Sequence, residues 1–245
     1  MHFRPGKRTI MLFWALAALL LLPLAASADP IAVTPTYFTG SRSTPNASGV
    51  VGAGSWSDTN GGFLISWDIT SISGGYHYSY TISNANGSTP IIQDMSHLIL
   101  EVSSCFTSSD IWNATLDGEA VSVVGPQTFT SSGSSGSNPN MPASDIFGIK
   151  LDAGGITYAF DSNKMPVWGD FYAKDGNNLV DDVASTAWNM GFGTDPTNST
   201  TDFTNWIPTP DTCETPVPLP PSALLLGSGL LGLCLFGWRR REKKA

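Results

Sequence analysis

Phe63-Leu64-Ile65-Ser66-Trp67-Asp68-Ile69, followed by Gly74-Gly75 and then Tyr76-His77-Tyr78-Ser79-Tyr80-Thr81-Ile82, decides the fold class. Phe63, Ile65, Trp67 and Ile69 recur at every second position, as do Tyr76, Tyr78, Tyr80 and Ile82. A period of two puts each set on one face of a β-strand. The Gly-Gly pair supplies the turn of a hairpin, because glycine accepts the positive φ that tight hairpin turns need. Working outward, Asn84-Ala85-Asn86-Gly87 turns the chain again, and Leu98, Leu100 and Val102 alternate with His97, Ile99 and Glu101. Ser109-Asp110-Ile111-Trp112 begins a short helical turn. Strands are expected over 120–124, up to Phe129, and over 146–151, 156–160, 167–173 and 188–192. Ser131 to Pro142 is expected to be a polar loop that does not pack. Helical periodicity is nearly absent and no internal repeat is present. Regular short strands with Gly/Asn turns predict an all-β fold, a single antiparallel β-sandwich of jelly-roll type.

The two ends of the chain have a different character. Arg4, Lys7 and Arg8 precede an apolar run from Ile10 to Leu22, and Ala26-Ser27-Ala28 places small residues where signal peptidase reads them. Residues 1–28 are therefore expected to be a secretory signal peptide, with Ala26 and Ala28 at the recognition positions and cleavage before Asp29. At the other end, Val217-Pro218-Leu219-Pro220 is followed by an uncharged run, 222–238, and by Arg239-Arg240-Arg241 and Lys243-Lys244. Seventeen residues at ~1.5 Å each reach roughly 25 Å as a helix, at the short end of what spans a bilayer. The basic residues behind the run hold it with its C-terminus in the cytoplasm. The sequence thus divides into a signal peptide (1–28), an ectodomain (29–210), a proline-rich linker (211–221), a transmembrane helix (222–238) and a basic cytoplasmic tail (239–245).

This tail resembles the PEP-CTERM class of bacterial sorting signals, and within it the VPLPA type, which membrane enzymes called exosortases recognise. Val217, Pro218, Leu219 and Pro220 match the motif; Pro221 stands where that type carries alanine. The resemblance implies a Gram-negative host that makes exopolysaccharide, with signal peptidase and an exosortase as processing partners. It also implies a membrane-anchored stage before display at the cell surface or release. The ectodomain is similar to an uncharacterised extracellular domain that recurs in such proteins, through 96–103, 148–152 and 166–176. No activity comes with that likeness.

Between residues 29 and 216, four basic residues face nineteen acidic ones, a formal charge of −15. Such a body repels nucleic acid. No Gly-x-Ser-x-Gly elbow, His-Glu-x-x-His or paired Cys-x-x-Cys is present, so neither nucleophilic hydrolysis nor zinc chemistry has a motif, and no catalytic residue is assigned. His77 and His97 read as surface or edge histidines. Glycoside hydrolysis needs two carboxylates across a bond; acids are plentiful, Glu101 and Asp170 lie in the best-patterned strands, and nothing singles out a pair. No cofactor is implied, although calcium is chemically reasonable at Asp170, Asp175, Asn177, Asp181 and Asp182, whose oxygens suit a hard cation. Cys105 and Cys213 would enter an oxidising compartment and are expected to form a disulfide. Trp56, Trp112 and Trp206 lie near turns and are the candidates for stacking on sugar rings. The expected function is an exported, exosortase-processed envelope or matrix protein associated with exopolysaccharide and lacking catalytic activity. A carbohydrate-binding module and a polysaccharide-acting enzyme with acidic catalytic residues are the alternatives.

Overall fold

The structure, a computed structural model, describes residues 30–86, 95–131, 138–142, 145–152, 154–175 and 184–211. The segments expected to be the signal peptide, the transmembrane helix and the basic tail lie outside these residues, as does all of the linker except Asp211. Among the described residues no helix is long and apolar enough to cross a membrane.

The described chain is all-β and its strands pair antiparallel. One six-stranded sheet is ordered β1 (Thr39–Ser43), β3 (Leu64–Ile72), β4 (Gly75–Ser83), β10 (Thr157–Ser162), β6 (Ile111–Leu116) and β7 (Glu119–Ala120). A second runs β2 (Val50–Ala53), β13 (Thr186–Asn189), β12 (Phe171–Asp175), β5 (Met95–Glu101), β9 (Ile146–Leu151) and β8 (Val123–Phe129). A short ribbon pairs β11 (Pro166–Gly169) with β14 (Ile207–Pro210). The hairpin expected from the sequence is β3–β4: Ile65 faces Ile82, Trp67 faces Tyr80 and Ile69 faces Tyr78. Gly74 turns it with φ 89°.

One buried cluster draws on both six-stranded sheets. Ile65, Trp67, Tyr78, Tyr80 and Phe160 come from the first; Leu98, Leu100, Ile149, Phe171 and Ala173 come from the second. Phe63 and Phe171 stack at 6.0 Å between ring centres, and Tyr78 stacks on Phe160 at 5.2 Å. Burying aromatic rings of this size supplies most of the apolar driving force. The buried hydroxyls are satisfied at the rim, where Tyr78 donates to the Lys164 carbonyl and Tyr80 to the Pro208 carbonyl, each at 2.8 Å.

Several sequence expectations change, among them the 188–192 strand, which is β13 at Thr186–Asn189 followed by a turn. The 167–173 strand is two strands, broken at Asp170, because Asp170 turns its carboxyl into a polar group described below. The 120–124 strand is divided between β7 and β8. The polar loop does pack: Asn138 and Met141 are buried against the outer face of the second sheet. There Tyr172 Oη donates to the Pro139 carbonyl at 2.7 Å, and His97 Nε2 meets Asn138 Oδ1 at 3.0 Å. His97 is therefore a buried residue rather than an edge one. Burial, with Lys150 adding repulsion, pushes its imidazole down to about 4.

The ends of the described body meet at one strand. Val33 N–H donates to the Pro166 carbonyl and Trp168 N–H donates to the Ile31 carbonyl, so the N-terminal segment pairs along one side of β11. β14, the last strand before residue 211, pairs along the other side.

Candidate functional site

Two polar groups stand out from the body, one exposed and one buried. The exposed group lies on the outer face of the first sheet. β6 carries one extra residue opposite β10, between the pairs Thr115–Ala159 and Trp112–Asp161. Asn113 takes up the irregularity with φ 52°, a conformation that asparagine tolerates better than most residues. The distortion turns the Asn113 amide toward its neighbour, and Asn113 Nδ2 donates to Asp161 Oδ2 at 2.7 Å. His77, the partner of Asp161 on the other side, donates from Nδ1 to Asp161 Oδ1 at 2.7 Å. Carboxylate oxygens only accept when ionised, so Nδ1 bears the proton and Nε2 is left facing outward. Trp112 stands beside this group and is 36 % exposed. Trp112 and Asn113 also border a groove of ≈ 260 Å³ lined by Ile111, Ala114, Val121 and Val123.

The buried group lies where the end of β5 meets the break between β11 and β12. Asp170 N–H donates to Glu101 Oε2 at 2.8 Å, and Glu101 N–H donates to the Asp170 carbonyl at 2.9 Å. The Asp170 carboxyl is itself held at both oxygens, with Asn189 Nδ2 on Oδ1 and Gly193 N–H on Oδ2, both at 2.6 Å. Asn189 completes the group by accepting Phe171 N–H at 2.8 Å and donating to the Asn205 carbonyl at 2.9 Å. Burial, reinforced by the Asp170 charge, pushes the Glu101 carboxyl up to about 8. Burial also raises Asp170, to about 7, against its two hydrogen bonds. Gly169 is required here: a Cβ would lie 2.5 Å from Thr209 Oγ1 and 3.1 Å from Glu101 Oε2. The Thr209 hydroxyl and Asp211 Oδ1 are buried without hydrogen-bond partners among the described residues at this end of the body.

The sequence candidates fall out unevenly. Trp112 is exposed, but Trp56 and Trp206 are 0 % and 8 % exposed. The 3-10 turn Gly54–Trp56 drives the Trp56 indole against Phe63 at 4.9 Å, and Trp206 donates from Nε1 to the Thr194 carbonyl at 2.6 Å. Both are core residues and neither can offer a face to a sugar. The proposed calcium set is divided as well. Asp170 and Asp175 lie five positions apart along one extended segment, roughly 17 Å at ~3.3 Å per residue, too far to share an ion. Asp175 is the register partner of Met95 on β5, and its Oδ1 accepts Ser185 N–H at 2.9 Å. Asn177, Asp181 and Asp182 lie outside the described residues. Among the described residues no group of three or more His, Cys, Asp or Glu is arranged to hold a metal. Cys105 is disulfide-bonded. Cys213, its expected partner, lies outside the described residues, but Asp211 two positions earlier accepts hydrogen bonds from both the backbone and the side chain of Ser103. Ala26, Ala28, Asp29, Val217, Pro218, Leu219 and Pro220 also lie outside the described residues.

Sequence reading missed the two networks for one reason. Each joins residues far apart in the chain: Asp161 to Asn113 and His77, Glu101 to Asp170 and Asn189. The one local signal was an acid, Glu101, directly after the apolar run Leu98-Ile99-Leu100. No family model, no curated protein and no solved structure matches the chain.

Proposed function

We propose that the chain is an exported, C-terminally sorted envelope or matrix protein of a Gram-negative, exopolysaccharide-making bacterium, displaying a jelly-roll-like β-sandwich without catalytic activity. The observation that carries this reading is the order of the tail: Val217-Pro218-Leu219-Pro220, then the uncharged run 222–238, then Arg239-Arg240-Arg241. Closely spaced prolines disfavour helix and central strand, and a processing enzyme binds its substrate in an extended state. The uncharged run holds the protein in the membrane until it is cut, and the arginines set its orientation.

The body suits such handling. Its first described residues and its last strand flank β11, so trimming at both ends leaves the paired segments intact. The pairing of two six-stranded sheets around one aromatic core favours the sandwich reading. Polysaccharide hydrolysis is the weaker reading, because Asp170 is only 4 % exposed and has both oxygens committed to internal hydrogen bonds.

The test is intact mass spectrometry of the protein from its native host, with and without the sorting enzyme. The expected product lacks residues 1–28 and everything beyond the proline motif. Pro218→Ala/Pro220→Ala is expected to accumulate in the membrane with its tail attached. A full-length cytosolic species with both ends uncut would overturn the proposal.

A further inference from the structure

The row that contains Trp112 extends across four strands. Direct antiparallel partners line up Trp112 on β6, Asp161 on β10, His77 on β4 and Thr70 on β3. Direct partners share a face of the sheet. This face is the outer one, because the alternating residues Tyr78 and Phe160 fill the core. The rows beside it are mostly polar, with Thr115, Ala159, Ser79 and Asp68 in one and Thr157, Thr81 and Ser66 in the next. Thr70 and Asp68 are exposed, and the His77 side chain is 43 % exposed. An exposed indole therefore stands at the end of a row of hydroxyl, imidazole, amide and carboxylate groups. Asn113 and His77 fix the direction of that carboxylate in advance, which lowers the ordering cost of binding.

The geometry points to this row as a binding site for a neutral polysaccharide chain, with one pyranose face on Trp112 and the hydroxyls of the following units on Asp161, Asn113 and His77. The C–H face of a pyranose is apolar and matches an indole, while its equatorial hydroxyls need in-plane donors and acceptors. Neighbouring strands lie ~4.8 Å apart, close to the length of one pyranose unit, so a chain crossing the strands meets one side chain of the row per sugar. Each oxygen of Asp161 accepts one internal bond and keeps capacity for another. The ligand is neutral because a body of charge −15 repels a polyanion. The site deepens the reading of the chain as a surface protein and rests on it for where the polymer is met.

The test is affinity electrophoresis of the purified full chain in detergent, through gels containing barley β-glucan, hydroxyethylcellulose or galactomannan, with alginate as the anionic control. Retardation by at least one neutral polymer is expected, with quenching of tryptophan fluorescence. Trp112→Ala is expected to weaken retardation by about tenfold or more, Trp112→Phe to recover part of it, and Asp161→Asn to weaken it while leaving the melting temperature near wild type. No retardation by any neutral polymer, retardation by alginate alone, or undiminished binding by Trp112→Ala would each overturn the assignment. Tail processing is read by mass spectrometry and not by these gels, so failure of the site and failure of the sorting proposal are separate results.

Discussion

Raising the pH from 5 to 9 is expected to lower the melting temperature of the full chain by roughly 5–10 °C, and Glu101→Gln to remove a substantial part of the fall, Asp170 carrying the rest. In the folded protein Glu101 is held up at about 8 and Asp170 at about 7, against 4.5 and 3.8 for the free groups. An acid whose folded value is raised binds its proton more tightly in the native state than in the unfolded chain. Its stabilising contribution is complete below the unfolded value and is lost as pH climbs through the folded one. The window therefore opens near pH 4 and closes near pH 8. At one pKa unit per 1.36 kcal/mol, and allowing for the mutual dependence of the two carboxyls, the loss is on the order of 3 kcal/mol. His97, pushed down to about 4, has the opposite slope below its free value of 6.5, so the fall is steeper above pH 6.5 than below it. A glutamine at 101 keeps an oxygen for Asp170 N–H and never ionises. The check is thermal melting of wild type and Glu101→Gln at pH 5, 6.5 and 9. A wild-type midpoint that does not fall, or a variant that keeps the full slope, rules out the buried carboxyl as its source.

The sequence exposed those parts of the fold whose signal is local. Residues 63–82 announce their hairpin because alternation, aromatic content and a glycine turn coincide. β9 begins and ends where its apolar pattern does. β1, β2 and β14 were not legible: Thr39-Gly40-Ser41-Arg42-Ser43, Val50-Val51-Gly52-Ala53 and Ile207-Pro208-Thr209-Pro210 are too short, or too rich in glycine and proline, to stand out from loops. Their strand character comes from the partners they find. β5 misled in another way. Its alternation implied one wet face, yet His97 and Ile99 are buried at 4 % and 0 %, because residues 138–141 cover that side. A loop of Asn, Pro and Met gives no warning that it will seal a sheet. Trp112 and Trp56 show the same limit for the site. Both sit beside turns in the sequence. Whether an indole meets solvent or Phe63 depends on a bulge in one case and a 3-10 turn in the other, and neither is written in composition.

Trp168→Ala destabilises the protein by about 3–5 kcal/mol, the range for removing a buried tryptophan, and loosens both ends of the body together. Trp168 is 3 % exposed and lies on β11, between the N-terminal segment and β14. Its indole stacks on Phe203 at 5.0 Å with a 6° tilt, and Tyr37 meets its edge at 5.5 Å. The Arg42 guanidinium lies 5.8 Å from the Trp168 ring and 5.1 Å from Trp67, while Arg42 Nη2 donates to the Phe203 carbonyl at 3.0 Å. Arg42 Nε is buried with no hydrogen-bond partner among the described residues, so these ring faces compensate for part of its lost hydration. Removing Trp168 thus leaves both a cavity and a more poorly compensated cation. Trp168→Phe keeps a ring and is expected to cost about half as much. A double-mutant cycle with Arg42→Ala is expected to show a coupling of about 0.5–2 kcal/mol, the scale of a partly desolvated cation–π contact. The measurements are denaturant midpoints and limited proteolysis, with new cleavage expected near Ile31 and Pro210, the segments that β11 holds. A Trp168→Ala protein within about 1 kcal/mol of wild type, or one nicked only elsewhere, means that β11 does not govern the ends. If it does govern them, one strand sets how firmly the body holds the residues beside both proposed cutting sites. Under the proposed processing, the acidic domain would then stay closed while the chain is cut at both ends.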